Sequence, residues 1–147
     1  MWPRFLVVLG CTIRSACYTV NVGGKQLNLH DTTGLDEGQG RTVAKHDAIV
    51  QLYTLLRKLE TGLSLLVFYL RGPRIKESCV VNWRMFWEII FRRRVPILLA
   101  VTGLENEENG MDDWWTQNVE YFVGYKIYPT SVACLTAARG RRKSGQQ

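Results

Sequence analysis

No apolar run in the 147-residue sequence reaches the roughly 18 residues that a membrane-crossing helix needs. None of its four cysteines forms a Cys-x-x-Cys pair, so zinc ligation by paired thiolates has no support. Also lacking is a Gly-x-x-x-x-Gly-Lys-Ser/Thr run, the loop whose backbone amides and lysine cradle nucleotide phosphates. Internal repeats and low-complexity tracts are absent, which excludes solenoids. What is present suits one globular domain: 46% hydrophobic and 22% charged residues argue against disorder. The formal charge is +6, but Arg92 to Arg94 together with Arg139, Arg141, Arg142 and Lys143 carry more than that excess. The body of the domain is therefore near neutral, and no nucleic-acid face is expected. Cys79 and Cys134 sit among apolar residues and read as buried thiols of a reducing, cytoplasmic setting. Only the start, "MWPRFLVVLGCTIRSAC", imitates a secretion signal, with an apolar run short even for that role.

The order of elements follows from periodicity. "CYTVNVGGKQLNLH" reads as a hairpin turning at Gly23-Gly24, where both residues can take positive φ. Ala44, Ala48, Leu52, Leu55 and Leu59 form one apolar stripe on a helix from about Arg41 to Leu59. "LSLLVFYL" (63–70), "VPILLAVTG" (95–103) and "VACLTA" (132–137) are apolar without alternation, as strands of a parallel sheet covered on both faces are. Trp83, Phe86 and Ile90 mark a helix between the first two. Trp115, Val119 and Phe122 mark another, which opens on Asp112 and Asp113 at the positive end of its dipole. Right-handed crossovers then give an α/β fold: a three-layer α/β/α sandwich, mostly parallel, with an antiparallel edge hairpin. The partial domain runs over 1–138, and 139–147 is a basic tail expected to be disordered.

In such folds ligands gather at the carboxyl ends of the strands. Three short segments fall there. Asp31-Thr32-Thr33-Gly34 offers a carboxylate for Mg²⁺ and a glycine amide that can approach a phosphate. Alone it is weak, expected by chance in roughly half of chains this long, and by itself it is better read as a helix-capping turn. "VTGLE" (101–105) and Thr136-Ala137-Ala138 are the other two. All three in this order, each after the right strand, are far more specific. His30 and His46 read as strand-end and helix-surface residues, and Trp114-Trp115 as core.

With "GCT" at 10–12, "DTTGLDEG" at 31–38, "VTGLENEENGMDDWW" at 101–115 and "LTAARG" at 135–140, the chain resembles a Ras-like P-loop GTPase domain. The likeness is to the septin-like and immune-associated branch and its fungal paralogues, over about residues 8 to 140. The resemblance implies GTP with Mg²⁺ as ligand. It casts Thr12 as the switch threonine on the metal, Asp31 as the metal-side carboxylate and Gly34 as the γ-phosphate amide. Thr102 and Glu105 stand at the guanine-reading motif, and Thr136 and Ala137 back the base with main-chain amides.

Two departures follow. Gly103 and Glu105 replace the motif's lysine and aspartate, which puts guanine preference in doubt. The strand, phosphate loop and helix that open the family's fold do not precede Cys11, so an incomplete P-loop fold, a truncated G domain, is expected. The segment "RFLVVLG" is available as a surrogate strand that would bring Gly10 near the phosphates. Losing about three charge-assisted bonds worth about 1.5–3 kcal/mol each removes roughly 5 kcal/mol or more, at least about 10³-fold in affinity. Weak or no hydrolysis is the expectation, with a non-catalytic module that captures a protein partner or self-associates as the alternative.

Overall fold

The computed structural model describes residues 4–12, 16–33, 42–59, 62–107 and 110–136, with β1 described by its backbone alone. Among the described residues six strands and three helices follow one another: β1 (Arg4–Thr12), β2 (Ala16–Val22), β3 (Lys25–Thr33), α1 (Thr42–Leu59), β4 (Leu63–Arg71), α2 (Glu77–Trp83), β5 (Ile97–Thr102), α3 (Met111–Gly124) and β6 (Ser131–Cys134). The strands form one sheet in the order β2-β3-β1-β4-β5-β6. All neighbours are parallel except β2 and β3, the expected hairpin. Gly23 (φ 57°) and Gly24 (φ 75°) make its turn with two positive φ values, the geometry that matches strand twist.

The chain has the expected mixed α/β fold, mostly parallel with an antiparallel edge. One expectation is corrected: a strand does precede Cys11. Arg4–Thr12 occupies the centre of the sheet, pairing with β3 on one side and β4 on the other. It ends in an irregularity, because Leu9 pairs with Thr32 and Thr12 with Thr33, leaving Gly10 and Cys11 as extra residues at its carboxyl end. Only three residues then separate β1 from β2.

The core lies on one side of the sheet. Leu66, Phe68 and Leu70 of β4 stand in register with Ile97, Leu99 and Val101 of β5, so all six share a face. They pack with Leu59 of α1, Cys79, Val80 and Trp83 of α2, and Trp114 and Phe122 of α3. Three crossovers running the same way across the sheet put their helices on this one face, as right-handed connections require. On the other face Leu65, Val67 and Leu98 are half-buried. The second helical layer of the expected sandwich is not among the described residues. No described helix is long and apolar enough to cross a membrane.

Two helical faces differ from the periodicity reading. Trp83 and Phe86 are buried as expected, but α2 continues from Arg84 to Ile90 as a π-helix, the Phe91 N–H donating to the Phe86 carbonyl at 2.9 Å. The wider turn leaves Ile90 half-buried. Arg92 (φ 47°) and Arg93 (φ 59°) then lie in the left-handed region, at a cost of roughly 1–2 kcal/mol each. Arg93 is held there over the Trp87 ring at 5.5 Å and 3.4 Å from the Glu88 carboxylate. In α3 Phe122 and Trp114 are both buried, with Trp115 half-buried against Phe122. Cys79 is buried, whereas Cys134 is half-buried against the core. The basic tail and the α1 side chains of Ala44, Ala48 and Leu52 lie outside the described residues.

Candidate nucleotide site at the carboxyl edge

Because β1, β3, β4, β5 and β6 are parallel, their carboxyl ends share one edge of the sheet. Thr12 ends β1 beside Thr33, and Asp31 sits two residues before the end of β3. Asp31 is half-buried between Val8 on β1 and Ala16 on β2. Thr102 ends β5, half-buried Glu105 follows it, and exposed Thr136 follows β6. The structure thus brings Thr12, Asp31, Thr102, Glu105 and Thr136 to one edge. Asp31 and Thr102 stand three strands apart there, roughly 14 Å by strand spacing. Gly34 and Ala137 lie outside the described residues, as does the side chain of Thr12.

The β4 and β5 ends are joined tightly. The Gly72 N–H donates to the Thr102 carbonyl at 2.7 Å. A Cβ on Gly72 would come within 2.7 Å of Leu104 Cδ2, and one on Gly103 (φ 77°) within 3.1 Å of the Gly72 carbonyl oxygen. A side chain at Gly72 would make Leu104 shift, and at Gly103 the positive φ favours glycine as well. Thr102 is buried, and its hydroxyl donates to the Tyr69 hydroxyl at 2.7 Å. Its side chain is therefore engaged inside the sheet, which leaves the outward-facing residues after it to meet a ligand.

Several participants escaped the sequence reading. Tyr69 is one, hidden inside an apolar run. Another is a group of cations: β4 ends in Arg71, and Arg74 and Lys76 follow in the next loop, all exposed. They bring positive charge to the edge beside the end of β1. Charge counting could have found them, since "RGPRIK" (71–76) holds three cations and no acid. At the hairpin, His30 Nε2 lies 3.8 Å from Cys17 Sγ, and burial lowers the His30 pKa from 6.5, favouring neutral imidazole. No group of three or more His, Cys, Asp or Glu gathers among the described residues to hold a metal by itself. Mg²⁺ commonly uses one or two carboxylates plus phosphate oxygens, so a lone Asp31 suits a metal that arrives with its nucleotide.

An open sheet with its charged groups along the carboxyl edge defines a class, the α/β proteins that take ligands at that edge. Solved structures narrow the class to one fold. Era, in a crystal structure with MgGDPNP and a segment of 16S ribosomal RNA, matches at a TM-score of 0.64 and 12% identity, over 93% of this chain and 52% of that one. Toc33 from Arabidopsis thaliana matches at 0.60 and 16% identity, over 96% of this chain and 73% of Toc33. A probable GTP-binding protein, engB, matches at 0.53 and 8% identity, over 91% of this chain and 88% of engB. These neighbours are GTPases, and the fold of this chain is that of a GTPase G domain. The chain spans about half the length of Era. No protein-family model matches it, and no curated protein sequence does.

Proposed function

We propose that the chain is a G domain that binds GTP with Mg²⁺ weakly along this edge and hydrolyses it slowly or not at all. The observation that carries the reading is the placement of the motif segments at one sheet edge, in the strand order of the fold. Asp31 acts on the metal side, with Thr12 and the Gly34 amide near the terminal phosphate. The main chain after Thr102, Glu105, Thr136 and Ala137 surrounds the base. Arg71 supplies a cation on the phosphate side, where only three residues link β1 to β2. Bound Mg²⁺ would neutralise phosphate charge, and Asp31 would orient it through water.

The whole chain should be titrated with a fluorescent GTP analogue, with and without Mg²⁺. We expect saturation in the micromolar to millimolar range, dependent on Mg²⁺ and weakened several-fold by Arg71→Gln. Absence of saturation at millimolar nucleotide would reject the reading. ATP in competition reports how far Glu105 preserves guanine preference. The short β1–β2 link also favours a second reading, a degenerate G domain that captures a protein partner. That reading expects Asp31→Ala to leave capture intact, and joint loss of capture and nucleotide would refute it. The septin-like kinship and the cytoplasmic setting belong to this proposal as well.

A further inference from the structure

At the opposite, amino edge of the sheet a cavity of about 590 Å³ opens between α1 and the π-helical continuation of α2. Its walls are apolar: Val50 and Tyr53 on α1, Met85, Ile89 and Ile90 on the π segment, and Leu63 at the start of β4. The π-helix sets this wall. With hydrogen bonds running five residues back, side chains four and five apart stack, which aligns Met85 with Ile89 and Ile90. Ile89 is 70% exposed, Tyr53 50% and Val50 48%, a costly display of apolar surface for a folded domain. Arg57, Arg92 and Arg94 also line the cavity, and among the described residues no acidic one does. Arg92 stands in the left-handed region, a strained conformation of the kind that concentrates at ligand sites.

We infer that this cavity binds a small single-chain anionic amphiphile, an alkyl body with a carboxylate or phosphate head. Its volume falls within the roughly 300–1,000 Å³ of pockets that enclose small ligands. The alkyl chain covers the apolar walls and removes Ile89 and Tyr53 from water. The head meets Arg92 and Arg94, whose planar guanidinium groups pair with carboxylate or phosphate through two parallel bonds. Apart from the arginines, the described lining side chains offer only the Tyr53 hydroxyl as a polar group, too little to read a nucleobase. The site is independent of the nucleotide reading, since it uses the other edge of the sheet.

The test uses the whole chain and dodecyl phosphate below its micellar concentration, followed by isothermal titration calorimetry. Saturable one-to-one binding is expected, with dodecanol at least roughly tenfold weaker because it lacks the charge-assisted bonds. Inorganic phosphate alone should not bind measurably. Joint replacement Arg92→Gln and Arg94→Gln should reduce affinity for dodecyl phosphate roughly tenfold or more while leaving that for dodecanol unchanged. Ile89→Asp, at an exposed position compatible with folding, should abolish both. Equal affinity for dodecanol and dodecyl phosphate, an Ile89→Asp variant that still binds, or capture by anionic vesicles without binding of free amphiphile would each overturn the inference.

Discussion

Removing the Tyr69 hydroxyl should cost more than removing its partner's. Thr102 is 5% exposed and donates to Tyr69 at 2.7 Å, so Tyr69→Phe leaves a buried hydroxyl without an acceptor. An orphaned buried polar group costs about 1–3 kcal/mol. Thr102→Val instead removes the buried donor and leaves behind a half-buried tyrosine that water can reach. Its expected cost is about 0.5–1.5 kcal/mol, the net worth of an ordinary hydrogen bond. With Thr102→Val already present, Tyr69→Phe has nothing left to orphan. The double variant should therefore resemble Thr102→Val, with a coupling equal in size to the Tyr69→Phe loss, about 1–3 kcal/mol, in a double-mutant cycle. Urea unfolding of the four proteins measures this, provided the slopes agree. Additive losses, or a costlier Thr102→Val, would refute the assignment. The same proteins test the site: Thr102→Val should leave GTP affinity unchanged, because its hydroxyl faces Tyr69 and not the ligand.

Trp83 is fully buried and its indole N–H has no hydrogen-bond partner among the described residues, so Trp83→Phe, which removes that N–H, should cost clearly less than Trp83→Ala at about 3–5 kcal/mol by denaturant melting. Burial lowers the His30 pKa below 6.5, so the unfolded chain takes up the proton first on acidification. Stability should then fall as pH drops from 6.5 through the lower folded value, and His30→Gln should flatten that slope in pH-dependent melts. Gly103→Ala forces a side chain to φ 77° and to 3.1 Å from a carbonyl oxygen. Thermal melting should register a loss of about 1–2 kcal/mol from the left-handed backbone alone, and Gly124→Ala, where nothing crowds a Cβ, should register none.

Local chemistry made most of the fold legible. Alternation and Gly23-Gly24 announced the hairpin, and unbroken apolar runs announced β4 and β5, whose inward residues are buried. Element boundaries fell within a few residues because Gly, Pro and charge clusters bracket them. The central strand was harder. "RFLVVLG" imitates the core of a secretion signal as readily as it offers a surrogate strand, and its two long-range partners settle it as a strand. The π-helical turn was illegible, since Trp83, Phe86 and Ile90 fit an α period and nothing local specifies hydrogen bonds five residues back. Near neighbours in sequence can also mislead: Trp114 and Trp115 both read as core and both meet Phe122, yet only Trp114 is fully buried. At the site, the strand-end segments were readable from their order. The Thr102–Tyr69 bond joins residues 33 apart in the chain and needed coordinates.

The position of β1 also bears on how the chain is made. It leaves the ribosome ahead of both its neighbours, and the hairpin can close while β4 is still unsynthesised. Until Leu63–Arg71 emerges, the oldest strand can dock on one flank only, its other row of amides and carbonyls bare. Nascent chains paused in that interval should be the ones that chaperones hold.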